Sequence, residues 1–230
     1  MSSLQKAGGV AALIMPVTWV VVGVIFLGIL SRDGFLDADV GAAQKVAILA
    51  DHQVIAAIGI LVGYVLWSFL QVVLALALYD RLKAGSPAMA LVATAIGLIL
   101  ATVAYAAGMI TFVGIEKVVE LHGSSPEQAG ALWLAVESVQ EGLTGTEDIT
   151  GLWVLLISWT ALRGRQLPRP LSYIGVVAGV AGLLTLIPPV KEALVAVYAL
   201  GQIVWYVWVG IVMLRTSPRS ESRKPAGEVA

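Results

Sequence analysis

Residues 84–115 read AGSPAMALVATAIGLILATVAYAAGMITFVGI, without one charged side chain. A helix crosses a bilayer with about 20 predominantly apolar residues, so this stretch is long enough to be a membrane span. Four other uncharged runs have the same character: Ala7–Ser31, Gln53–Tyr79, Pro170–Val190 and Ala193–Leu214. A sixth, Ile149–Leu162, holds only 14 uncharged residues. The pattern predicts an all-α, polytopic membrane protein. Six transmembrane helices are expected at about 9–30, 53–79, 87–115, 143–163, 171–187 and 191–214, in a single integral membrane domain over 1–230 whose residues 215–230 form a tail.

Composition agrees. The chain is 59% hydrophobic and 13% charged, against roughly 25% charged residues in a soluble domain. Six crossings and short loops use all 230 residues, which leaves no soluble domain. The absence of cysteine removes disulfides, thiolate catalysis and cysteine metal sites. The first apolar run follows Lys6 as a signal peptide would, but it exceeds the 7–15 residues of a signal h-region and lacks a small-x-small cleavage site. It reads as a retained anchor.

Orientation follows from lysine and arginine placement. The N-terminus, second loop, fourth loop and tail hold ten of them (Lys6, Arg81, Lys83, Arg163, Arg165, Arg169, Arg215, Arg219, Arg223, Lys224). The remaining loops hold four: Arg32, Lys45, Lys117 and Lys191. Both termini are expected in the cytoplasm. Twelve of the fifteen acidic residues fall on the opposite side, so the outer surface is acidic. The net charge of −1 gives no basic face for nucleic acid, and the basic tail suits anchoring at anionic headgroups.

Helix two is expected to begin in water near Ala42 and run unbroken to about Arg81, and helix three to run from Pro87 toward His122. Ser125-Pro126-Glu127-Gln128 is a helix start with a cap and a capping box. It opens a short outer amphipathic helix whose apolar stripe is Leu132, Val136, Val139 and Leu143, opposite Glu137 and Glu141. Gly59-x-x-x-Gly63 and Gly175-x-x-x-Gly179 are close-packing signals. Tyr79, Trp153 and Tyr173 fit interfacial aromatic belts.

Helix four carries the sharpest functional clue. Its 14 uncharged residues span roughly 21 Å against a hydrocarbon core of about 30 Å. The crossing must recruit residues back to about Leu143, which draws Glu147 and Asp148 into the membrane layer. Two readings stand: an outward-facing polar cavity with these carboxylates in its wall, or a locally thinned bilayer with both acids reaching the headgroups. Helical spacing places Glu147 nearer the apolar stripe, hence toward other helices.

Three polar stripes supply the other candidates: Gln53, Tyr64, Ser68 and Gln71 in helix two, Thr94, Tyr105 and Glu116 in helix three, and Lys191, Tyr198 and Gln202 in helix six. They would line a cavity or make interhelical hydrogen bonds worth around 0.6 kcal/mol each. Asp51-His52 and His122 lack metal-binding spacing, and no nucleophile elbow, P-loop or dinucleotide fingerprint is present. No cofactor and no catalytic residue is implied. Lysine is missing from every helix interior, which disfavours a Schiff base.

Four segments are similar to a known family: Val46–Gln53 (VAILADHQ), Leu76–Leu82 (LALYDRL), Leu167–Ser172 (LPRPLS) leading to Gly175, and Pro189–Ala196. In these the chain resembles the bacterial membrane family called domain of unknown function 4386, whose members have six helices in a chain of this size. The resemblance implies this architecture and a bacterial cytoplasmic membrane, and implies no activity.

The expectation is a non-enzymatic protein of that membrane. It would bind a lipid, a small hydrophobic molecule or a partner subunit in an outward-opening cavity among the helices. The candidate residues are Glu147, Asp148, Glu116, Tyr105, Gln71, Tyr64, Gln202 and Tyr198. A small transporter using Glu147 or Asp148 as a proton or cation site is the alternative, and a lipid-acting intramembrane enzyme the third reading.

Overall fold

Helix α1 (Ser3–Gly23) starts at Ser2, whose hydroxyl accepts the Gln5 N–H at 3.2 Å, the bond by which a serine caps a helix. It continues through a wider π-helical turn, Val24–Ile29, and a 3-10 turn, Leu30–Asp33. It stops at Gly34, whose φ of 88° is open to a residue without a Cβ. The computed structural model describes residues 2–144 and 148–216, and every regular element among them is helical.

Helix α2 (Ala42–Asp51) is separate from α3 (Gln53–Ile60), because His52 leaves helical geometry at φ −117° and ψ 22°. The continuous helix expected from near Ala42 is therefore broken at that residue. A second π-helical turn, Leu61–Leu66, joins α3 to α4 (Trp67–Leu82). Helix α5 (Pro87–His122) opens on a proline, which lacks only an N–H that a first turn leaves unpaired anyway. It is followed by α6 (Pro126–Thr144), α7 (Asp148–Gly164), α8 (Arg169–Leu184), a 3-10 turn at Pro188–Val190 and α9 (Lys191–Arg215).

Four stretches are long and apolar enough to cross a membrane: Ser3–Asp33, Gln53–Leu82, Pro87–His122 and Pro188–Arg215. The outward faces of these helices carry exposed Leu27, Val54, Phe69, Leu91 and Leu200, an apolar coat that water would not tolerate at this extent. The protein is membrane-embedded.

Helices α1, α4, α5, α7, α8 and α9 neighbour one another in that order, and α9 returns to α1 to close a ring. The ring interior is filled by Met15, Leu74, Leu78, Trp153, Ile157, Trp205 and Tyr206. Backbones come close where glycines face each other: a Cβ on Gly179 of α8 would lie 2.7 Å from the Gly151 carbonyl of α7. Likewise Gly59 in α3 faces Ile25 and Phe26, and Gly63 in the π turn faces Val22. Both small-residue motifs thus serve packing inside the bundle. Trp153, expected in an interfacial belt, is instead fully buried, edge-on to Trp205 and stacked on Tyr206.

A second core lies where α2 and α6 cover one end of the ring, built from Phe35, Val46, Leu49, Ile115 and Trp133. Here α6 departs from the expected stripe. Its buried residues are Ala129, Gly130, Trp133 and Val136, whereas Leu132 and Val139 are exposed. Two contacts set that rotation. Gly130 sits against the backbone of Ala43, and Trp133 packs on Phe35 with ring centroids 6.2 Å apart. Lys45 and Glu137, at 3.4 Å, tie the same two helices at their edge.

The two ends of the ring differ in charge. At one, Gln5 donates from Nε2 to the Thr216 carbonyl at 2.8 Å, and Arg81 donates from Nε to the Gln166 carbonyl at 3.1 Å. These bonds gather both ends of the described chain with the α4–α5 and α7–α8 turns, and with them Lys6, Arg81, Lys83, Arg163, Arg165, Arg169 and Arg215. The opposite end holds Asp33, Asp37, Asp39, Asp51, Glu120, Glu127, Glu137 and Glu141.

Candidate functional site

The sequence candidates do not converge on one place. Gln71 of α4 and Gln202 of α9 are fully buried, and Tyr198 of α9 nearly so. Neither glutamine's amide nitrogen nor its oxygen has a hydrogen-bond partner among the described residues. A polar group buried in this way costs roughly 1–3 kcal/mol, so apolar side chains at these positions would give a more stable bundle. Tyr64, in the π turn, accepts a hydrogen bond at its phenol oxygen from Gln140 Nε2 at 2.8 Å, and Gln140 also donates to Thr144 Oγ1 at 2.9 Å. That pair links the second span to α6.

Tyr105 and Glu116 of α5 are exposed. Tyr105 rests edge-on against Phe69, centroids 5.9 Å apart, while Thr94 on the same expected stripe is buried and bonds back to the Ala90 carbonyl. The spacing of the three residues puts them on one side of the helix, but what covers that side changes along its 36 residues. Asp148 is the first residue of α7. Glu147 lies outside the described residues.

Between α5 and α6 the structure has a groove of about 460 Å³, open to the side of the bundle. Met109, Ile110 and Val113 form its wall on α5, Leu132 and Val136 its wall on α6, and Lys117 stands at its end toward the acidic end of the ring. It exists because α6 turns Trp133 to the core and leaves Leu132 outward, and because Gly114 lets Val136 come close to α5. The lining is apolar apart from Lys117, whose ammonium pairs with Glu120 at 2.8 Å. Volumes of about 300–1,000 Å³ are usual for ligand sites.

Sequence reasoning missed the groove. An apolar residue facing lipid and one facing another helix look alike in a membrane protein, and only the exposed polar face of a water-bathed helix would have betrayed its rotation. At the acidic end, His52 Nε2 lies 2.7 Å from Asp33 Oδ2, joining the break before α3 to the turn after α1.

No curated protein and no solved structure matches the chain. One family does, and the match runs from within α1 to within α9, so it takes in the ring, the groove and the buried glutamines alike. Over residues 8–211 the sequence fits the family described as Domain of unknown function (DUF4386), and the chain belongs to that family.

Proposed function

We propose that this is a six-crossing protein of the bacterial cytoplasmic membrane, with both termini inside, that binds a lipid acyl chain non-enzymatically in the outward-lying groove between α5 and α6. The groove carries the reading: an apolar, side-opening slot with a lysine at one end matches an acyl chain and the polar group that heads it. The ring supports the reading of six crossings. Helices α7 and α8 have 17 and 16 residues, roughly 25 and 24 Å long, and sit between α5 and α9, which are themselves long and apolar enough to cross. The basic end then faces the cytoplasm and α6 lies at the outer surface.

The test is photolabelling in bilayer discs with a phosphatidylcholine bearing a diazirine in its acyl chain, mapped by mass spectrometry. Labels should concentrate at residues 109–117 and 132–136. Val113→Trp, which fills the groove, should abolish that enrichment while the protein stays folded. Label spread evenly over the exposed faces around Phe69, Val177 and Leu200 would mean ordinary boundary lipid and defeat the reading.

A further inference from the structure

At the basic end, a pocket of about 450 Å³ is lined by Arg81, Arg165, Gln166, Arg169, Val212 and Thr216, among others. Arg81 is only 4% exposed. Its Nε donates to the Gln166 carbonyl at 3.1 Å, Nη1 to the Thr216 carbonyl at 3.0 Å and Nη2 to the Thr216 hydroxyl at 2.8 Å. All three acceptors are neutral. A guanidinium has five N–H groups, so two remain for another acceptor.

Among the described residues no carboxylate is within ion-pair distance of Arg81, Arg165 or Arg169. Its sequence neighbour Asp80 is held by Lys83 at 2.6 Å. Three cations around one pocket repel one another, and burial of one of them adds a desolvation cost. Helix α8 begins in the same wall at Arg169, and the start of a 16-residue helix brings the positive end of its dipole. Pro170 has no N–H and the Ser172 N–H donates to the Pro168 carbonyl, so the first-turn donors left over are those of Arg169 and Leu171. Arg165 is held there with φ 53°, a conformation few non-glycine residues adopt.

We propose that Arg81, Arg165 and Arg169, with the N-terminus of α8, form a binding site for a phosphate group at the basic end of the bundle. Arginine forks match phosphate oxygens in pairs, and a helix start adds backbone donors to the same anion. The chemistry is shared by an anionic phospholipid headgroup and by free phosphate. Arg81 also staples the ends of α7 and α9 together, a role that needs no anion. Arg165 and Arg169 make no part of that staple, so they separate the two roles.

The experiment uses the full chain in phosphatidylcholine discs, with and without phosphatidylglycerol, and in a second arm with inorganic phosphate at constant ionic strength. The unfolding temperature is followed against anion concentration. Wild-type protein should be stabilised saturably: by phosphatidylglycerol alone if the site requires a lipid headgroup, by phosphate as well if it takes the free anion. R165Q/R169Q should weaken the apparent affinity at least about tenfold without lowering the unfolding temperature in plain phosphatidylcholine, since it removes mutual repulsion. K83Q/R163Q removes the same charge from the same end but outside the pocket, and should retain affinity within about twofold. Equal weakening by both double variants would show diffuse surface attraction and overturn the site. So would a wild type indifferent to both anions.

Discussion

Trp153 of α7 stands edge-on to Trp205 of α9, ring centroids 5.7 Å apart at 81°, and α5 admits the indole because Gly97 carries no side chain. A Cβ on Gly97 would collide with Trp153 Nε1 and lie 3.1 Å from the Cβ of Ala75. That contact leaves little room in the ring interior, and its tolerance can be measured.

Gly97→Ala sets two effects against each other. Replacing a mid-helix glycine by alanine gains about 0.5–1 kcal/mol, whereas overpacking a filled core costs about 1–3 kcal/mol. The collision should win, and the unfolding temperature in detergent should fall. G97A/W153F, with a smaller ring, should recover part of the loss. An unchanged or raised unfolding temperature for G97A would show that the interior has slack.

Gly130→Ala tests the docking of α6. The added Cβ would meet the backbone nitrogen of Ala43 at 2.8 Å, and backbone cannot swing aside as a flexible side chain would. The expected cost is again about 1–3 kcal/mol, confined to the α2–α6 layer. Amide exchange should quicken over 42–51 and 126–144 and stay slow in the ring helices. Unchanged protection in both segments would mean that α6 is held by something other than this contact.

The spans were legible because charge is excluded from them. The run 53–79 becomes Gln53–Leu82 and the run 87–115 becomes Pro87–His122, each extended at an end where polar residues reach water. What faces what was not legible. Of the expected α6 stripe Val136 is buried but Leu132 and Val139 are not, and Ala129, Gly130 and Trp133 take their place, since small residues and one aromatic outweigh branched apolar side chains where helices must approach. Two π-helical turns, at Val24–Ile29 and Leu61–Leu66, shift the register that an unbroken 3.6-residue count assumes. Arg81 reads as a loop cation; that it is buried depends on Gln166 and Thr216, 85 and 135 residues further on.

The pair Lys83–Asp80 gives a pH dependence with a definite sign. The hydrogen bond to Asp80 at 2.6 Å, followed by its charge, raises the Lys83 pKa above the ordinary 10.5. A raised lysine contributes stability that is fully present below its unfolded value and lost as pH rises through the folded one. Asp80→Asn should therefore lower the unfolding temperature slightly at pH below 10.5, with the difference from wild type shrinking above it. The effect is small because the pair is open to solvent. A difference that grows with alkalinity would contradict the assignment.

Topology is testable in a chain without native cysteine. Ser2 caps the first helix at the basic end, and Ser124 precedes α6 at the other. Single cysteines at these positions should react with a membrane-impermeant maleimide from opposite sides: Ser124→Cys in intact cells, Ser2→Cys only after the membrane is opened. Reaction of both in intact cells would reverse or abolish the proposed orientation, and with it the placement of the groove at the outer surface.

Glu147→Gln separates lipid binding from ion coupling. Helix α7 starts at Asp148 and has 17 residues, about 25 Å against a hydrocarbon core of about 30 Å. Under the proposed six crossings, the sequence leads to the expectation that the carboxylate at 147 is drawn toward the membrane layer, where a charge is costly unless it reaches water or a cation. If the protein holds an acyl chain between α5 and α6, the carboxylate at 147 is a tolerated burden. The amide variant should then be as stable as wild type or more so, and label the groove from photoreactive lipid to the same extent. A variant that folds but loses groove labelling, or that abolishes a proton flux measurable in wild-type vesicles, would move the functional centre to α7 and favour a small transporter over a lipid-binding protein.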